Sequence, residues 1–220
     1  MTAEKAAINA VMAGCKPEYF PVVVAAVEAI GDPKWAYHGP GTSTAGAGVL
    51  TIVNGPIARE LDINGGANLF GQGWYANGTI GRAVRLCMIN IGGGLPGVGD
   101  MSTLGNPNKC GSCIAENEAQ SPWTPFHVER GFAADTSTVT AVATAAPQNV
   151  IELSADPIAI LDSLARAIFS SGSNCVYFDH QPMVVLSPVQ ATHVAGAGFD
   201  KPAIRRYLWE HGKMEFKGFA

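Results

Sequence analysis

The segment Gly48-Val49-Leu50-Thr51-Ile52-Val53 is apolar and rich in β-branched side chains, and Asn54-Gly55-Pro56 stops it. Such a run reads as a buried strand. Helical patterns flank it. Ala3 to Ala13 reads as a helix closed by Gly14. Pro17 to Ile30 reads as a second, with Pro17 at its first position and Pro21 in or just past its opening turn. A third runs from Asn77 to about Ile91, with Ile80, Val84, Cys87 and Ile91 spaced as one buried face and Gly92-Gly93-Gly94 after it. Residues 100–123 read as loop with short helical turns. Thr136 to Ala143, Val150 to Leu153, Cys175 to Phe178 and Met183 to Leu186 read as strands. Pro157 to Ser170, capped by Asp156, and then Gln190 to Ala197 and Lys201 to Glu210, read as helices. Strands alternating with helices over 220 residues predict a single α/β domain spanning 1–220, a mixed sheet flanked by helices.

Charge narrows the partners. Fourteen basic residues against eighteen acidic ones give a net charge of -4, and no basic cluster exceeds Arg205-Arg206. That argues against nucleic acid, whose affinity rests on neutralising phosphates. No run of about 18 apolar residues exists, so no membrane span is expected. The amino-terminal segment lacks a charged-then-apolar leader pattern, and the odd count of five cysteines does not suit a disulfide framework; both fit a cytoplasmic protein with reduced thiols. Charged residues make up only 15% of the chain, below the roughly 25% of soluble domains, which predicts a surface partly covered by homo- or hetero-oligomer contacts.

The densest chemical signal is Cys110-Gly111-Ser112-Cys113. Two thiols three apart can close a small disulfide, share a metal or exchange with a substrate disulfide. Glu116 and Glu118, close behind, would disfavour a thiolate. No second CxxC or CxxH pair completes a zinc site. An iron–sulfur cluster could take Cys15 as a third ligand beside Cys110 and Cys113, and Lys109-Cys110-Gly111-Ser112-Cys113-Ile114 faintly resembles the cluster-binding stretch of aconitase-type dehydratases. Cys15, between Gly14 and the Pro17 helix start and next to Lys16, is either an activated thiol or a half-buried small hydrophobe. Cys87 and Cys175 read as core.

A second constellation follows in Ser121-Pro122-Trp123-Thr124-Pro125-Phe126-His127-Val128-Glu129-Arg130-Gly131, a proline-stiffened loop. If it is extended, His127 and Glu129 share a face, giving an acid/base, a carboxylate to orient it and, in Arg130, an anion holder. A structural Arg–Glu pair with a loop histidine is the competing reading. His38 and Asn54 lie on turns after helix or strand ends, positions that often face a pocket in α/β folds, although turn chemistry is the stronger reading of each. Asp179-His180 reads as an exposed turn. The glycines at 39, 41, 46 and 48 match no nucleotide-binding fingerprint, and no GxSxG elbow occurs.

Several stretches together resemble a family: Ala7 to Tyr19, Ile52-Val53-Asn54-Gly55-Pro56, Asp100 to Gly105, Cys113-Ile114-Ala115-Glu116-Asn117-Glu118 and His127-Val128-Glu129-Arg130-Gly131-Phe132. They are similar to a bacterial family that occurs fused to, or alongside, a small Sec-Gly-Ser-Cys or Cys-Gly-Ser-Cys domain. The resemblance implies a partner polypeptide carrying a reactive selenol or thiol. It also marks Cys15, Cys113, Glu116, His127, Glu129 and Arg130 as positions matching the family's motifs. Family members often have aromatic residues where this chain has Cys110, which shifts weight from a dithiol to Cys113 alone or with Cys15.

These observations lead to three expectations. The first is a subunit of a cysteine-dependent enzyme acting on a small molecule with an anionic group: Cys113, helped by Cys110 or Cys15, attacks or reduces it; His127 moves protons; Glu129 orients His127; and Arg130, Glu116 and Asn54 bind substrate. The second is a metal- or iron–sulfur-dependent lyase or hydrolase with Cys15, Cys110, Cys113 or His127 as ligands. The third is a non-catalytic partner subunit.

Overall fold

Strand β1 (Gly48–Asn54) is buried along its whole length because it is the middle of a three-stranded sheet, order β2-β1-β3. The computed structural model describes residues 1–71, 73–170, 172–177 and 181–212. The architecture is mixed α/β, an open mixed sheet flanked by helices. Strand β2 (Ser112–Ala115) runs parallel to β1, Leu50 opposite Ser112 and Val53 opposite Ala115. Strand β3 (Thr138–Thr144) runs antiparallel, from Gly48 opposite Thr144 to Asn54 opposite Thr138. Because side chains alternate along a strand, the sheet has two chemically different faces. Val49, Val53, Cys113 and Ala115 join the core built with α1 (Ala3–Ala13), α2 (Phe20–Gly31) and α5 (Tyr75–Asn90). Leu50, Ile52 and Ile114 form a smaller cluster on the other face with Leu69 and Val142.

The helix limits follow from local chemistry. Thr2 Oγ1 accepts from Lys5 N at the start of α1, and Gly14, at φ 87°, returns its N–H to the Ala10 and Val11 carbonyls. The expected helix from Pro17 begins instead as a 3₁₀ turn, Pro17–Tyr19, and the α-helix starts at Phe20, so Pro21 sits in a first turn that needs no donor. Short helices α3 (His38–Thr42) and α4 (Pro56–Glu60) bracket β1. Buried Asn77 ties α5 to β2: its Nδ2 donates to the Cys113 and Asn64 carbonyls at 2.9 and 3.1 Å. A single turn, α6 (Phe126–Glu129), precedes β3.

These elements belong to the larger of two compact units, residues 1–118 with 125–147. The smaller unit, residues 119–124 with 148–220, contains α7 (Pro157–Ile168), the turn α8 (Asn174–Tyr177), α9 (Pro188–Gly196) and α10 (Lys201–His211). Each of its longer helices opens on a side-chain cap: Asp156 accepts from Ile158 N, Ser187 forms a capping box with Gln190, and Asp200 accepts from Ala203 N. Ile160, Leu161, Val194 and Ile204 make its core, and the Trp123 indole N–H donates to the Phe199 carbonyl at 2.9 Å.

Four expectations change. The stretch 100–123 contains strand β2, which is too short to show alternation. Residues 150–153 and 183–186 take no strand conformation, each holding apolar side chains in a segment that finds no ladder partner. Residues 174–177 form a helical turn rather than the expected strand, and Phe178, Asp179 and His180 lie outside the described residues. Among the described residues no helix is long and apolar enough to cross a membrane.

One buried ion cluster holds the loop after α5. Arg85 Nη2 lies 2.6 Å from Asp100 Oδ2, and Lys109 Nζ 2.8 Å from both Asp100 oxygens. Burial alone would raise the Asp100 carboxyl, but hydrogen bonds from Lys109, Arg85 and the Ser102 amide outweigh it and hold the group below its ordinary range. A depressed folded-state value means the stabilisation is present above the ordinary carboxylate range and is lost as pH falls through the folded value. Asp100→Asn leaves Arg85 buried without its counter-charge and is expected to cost about 3 kcal/mol in urea unfolding at neutral pH. The gap to wild type is expected to narrow as pH falls from the ordinary carboxylate range toward the depressed folded value, where wild-type Asp100 also takes up its proton.

Candidate functional site

Chain direction puts the carboxyl ends of the parallel strands β1 and β2 together, the edge at which open α/β sheets bind ligands. At that edge the register continues past Val53 and Ala115, setting Glu116 beside Asn54, while Asn54 faces Thr138 on its other side. A polar row, Glu116–Asn54–Thr138, therefore crosses all three strands. Gly55 follows at φ 84°, and a Cβ there would collide with the Thr136 carbonyl, so the turn out of β1 requires glycine.

Hydrogen bonds lock the row. Asn54 Nδ2 donates to Glu116 Oε2 at 2.6 Å and to Glu118 Oε1 at 2.9 Å. Gly55 N donates to the same Glu118 oxygen at 2.8 Å, and Phe126 N to the same Glu116 oxygen at 2.7 Å. Two carboxylates cannot donate, so the amide nitrogen must be the atom facing them and Asn54 Oδ1 must point elsewhere. The α6 turn carries His127, 2% exposed, against the cluster: Nδ1 lies 3.7 Å from Glu118 Oε1 and Nε2 lies 3.4 Å from the Ala134 carbonyl oxygen.

Three buried polar atoms in this neighbourhood have no hydrogen-bond partner: Asn54 Oδ1, His127 Nδ1 and Thr138 Oγ1. An unmet buried polar atom costs about 1–3 kcal/mol, and an ordered water or a polar group of a bound molecule satisfies such an atom equally well. The arrangement offers a fixed acceptor in Asn54 Oδ1 and, in His127, an imidazole, the side chain best suited to proton exchange, 3.7 Å from a carboxylate.

The structure thus brings together Asn54, Glu116 and His127, all expected from the sequence, and places Glu118, rather than the expected Glu129, beside the imidazole at 3.7 Å. Glu129 is exposed: residues 126–129 form a helical turn instead of the extended segment on which His127 and Glu129 would share a face. Exposed Arg130 stacks its guanidinium on the Phe126 ring, 4.4 Å from the centroid. His38 is exposed at the start of α3. The spacing Glu116-Asn117-Glu118 was the available signal for Glu118, because alternate residues of an extended segment leaving a strand share a face.

The sulfurs lie elsewhere. Cys113 is 3% exposed, in the core on the opposite face of the sheet from Asn54 and Glu116. Burial, then the charge of nearby Cys15, pushes its thiol far up. Cys87 is raised to about 11 by the same two causes. Half-buried Cys15 is raised by burial, partly offset by a hydrogen bond with Thr79. Cys110 is exposed at the end of the 3₁₀ turn Pro107–Cys110, at the amino end of β2 and so the far end from the Asn54 cluster. Among the described residues no cysteine hydrogen-bonds His127. Among the described residues no three His, Cys, Asp or Glu side chains are arranged to hold a metal ion, and a shared ion at Cys15, Cys110 and Cys113 does not fit an exposed Cys110 beside a sealed Cys113.

No known family pattern, curated protein or solved structure matches the chain.

Proposed function

We propose that this chain is the acid–base subunit of an enzyme acting on a small molecule by proton transfer, in the manner of a lyase. His127 moves the proton, Glu118 stabilises the imidazolium, and Asn54 Oδ1 accepts a hydrogen bond from a substrate hydroxyl or amine. Glu116 and Glu118 both accept from Asn54 Nδ2 and hold the amide in place. The observation that carries this reading is the set of orphaned buried atoms, Asn54 Oδ1, His127 Nδ1 and Thr138 Oγ1, beside two anchored carboxylates at the carboxyl edge of parallel strands.

The reading keeps the cysteine dependence expected from the sequence but moves the sulfur to another chain. With Cys113 packed away from His127, the reactive thiol or selenol comes from a small partner polypeptide, as the family resemblance implies. The test incubates the chain, alone and with such a partner, in a small-molecule cell extract and follows mass changes by liquid chromatography and mass spectrometry. A conversion that disappears in His127→Gln supports the reading. A conversion untouched by that substitution, or none with the partner present, contradicts it.

A further inference from the structure

A cavity of about 390 Å³ opens against α5, away from the Asn54 cluster. Helix α5 contributes Arg82, Arg85, Leu86 and Ile89, spaced to share one face. The facing segment contributes Asp100, Lys109 and Cys110. Its size falls within the few hundred to ~1,000 Å³ typical of small-molecule sites, and its walls combine apolar side chains with a few convergent charged ones.

The charge is one-sided. Arg82, Arg85 and Lys109 supply three cations against the single carboxylate of Asp100. Asp100 engages Arg85 through Nη2 and Lys109 through Nζ, which leaves donors on both groups, since a guanidinium has five N–H bonds and an ammonium three. Arg85 is 8% exposed and is held by that ion pair, so it is fixed in position; Arg82 is exposed in the same wall. A rigid, partly desolvated guanidinium suits an oxyanion, and Leu86 and Ile89 suit an apolar body.

We propose that this cavity binds a small organic anion, a carboxylate or phosphate ester on an apolar body, with the Cys110 thiol against the bound molecule. The site goes beyond the acid–base reading and shares no residue with it, so either can fail alone.

Cys110 supplies the probe. The protein is alkylated with anionic iodoacetate and with neutral iodoacetamide, and modification of the Cys110 peptide is followed by mass spectrometry. The same thiolate meets both reagents, so its ionisation cancels in the rate ratio. At low salt the iodoacetate/iodoacetamide ratio at Cys110 is expected to exceed that of 2-mercaptoethanol about fivefold, shrinking as the Debye length falls to about 4 Å near 0.5 M salt. This excess would arise despite the chain's net charge of -4, which repels iodoacetate overall. Arg82→Gln, at an exposed position, should remove most of the excess. Millimolar phenyl phosphate should slow the iodoacetamide reaction. A ratio no higher than that of mercaptoethanol, or one unchanged in Arg82→Gln, overturns the proposal.

Discussion

Replacing His127 with glutamine is expected to lower turnover by ~10²- to 10⁴-fold, the usual worth of a positioned proton-transfer group. Glutamine keeps a donor that can reach the Ala134 carbonyl but cannot exchange a proton near neutrality. The measurement is the initial rate of the His127-dependent conversion, taken beside thermal unfolding of both proteins. A purely structural histidine would give the opposite pattern: a lower melting temperature with an unchanged rate per folded molecule.

Gly111→Ala is expected to be among the most damaging single substitutions in the larger unit. Gly111 lies at φ 109°, where an L side chain is strained, and a Cβ there would collide with the Gly81 carbonyl of α5. The contact is tight from the other side too: a Cβ on Gly81 would lie 2.7 Å from Ser112 N. Helix α5 and the entry to β2 therefore touch backbone to backbone, and neither side can yield as a flexible side chain would. Strain of about 1–3 kcal/mol for the backbone and a similar cost for overpacking sum to about 3 kcal/mol or more. For a unit of this size that lowers the melting temperature by ~10 °C, measurable by circular dichroism. Gly111→Ala leaves both cysteines in place, so a large loss of stability would assign the Cys110-Gly111-Ser112-Cys113 motif a structural part in seating α5 on the sheet.

That motif shows where sequence and structure part. Read as a string, two thiols three apart suggest a pair acting together; folded, the 3₁₀ turn ends at Cys110 and the pleat of β2 sends Cys113 into the core. A four-residue strand carries too few positions for alternation to be seen, and its partner β1 lies some sixty residues away. Helices were legible because their signals are local. Thr2, Gly14, Asp156 and Asp200 each make the capping contact or take the φ that their residue type favours. β1 was legible because a strand covered on both faces needs apolar side chains throughout. The expected strands at 150–153 and 183–186 had suitable residues but no neighbouring ladder, and pairing is a tertiary fact.

The site was legible in part for the same reason. Asn54 was marked by its place at a strand end, and Glu116 and His127 by the motifs around them. Glu118 was passed over for Glu129 because the local conformation of residues 126–129 decides which carboxylate the imidazole meets. The buried cluster of Arg85, Asp100 and Lys109 depends on the path of the glycine-rich loop after α5, which residue spacing does not encode.

The central claim is that His127 and Glu118 work as one unit. A double-mutant cycle on turnover with His127→Gln and Glu118→Gln tests it most directly. If the carboxylate acts through the ring, the double variant should lose no more than His127→Gln alone. Losses that multiply, or a Glu118→Gln variant as active as wild type, would contradict the account.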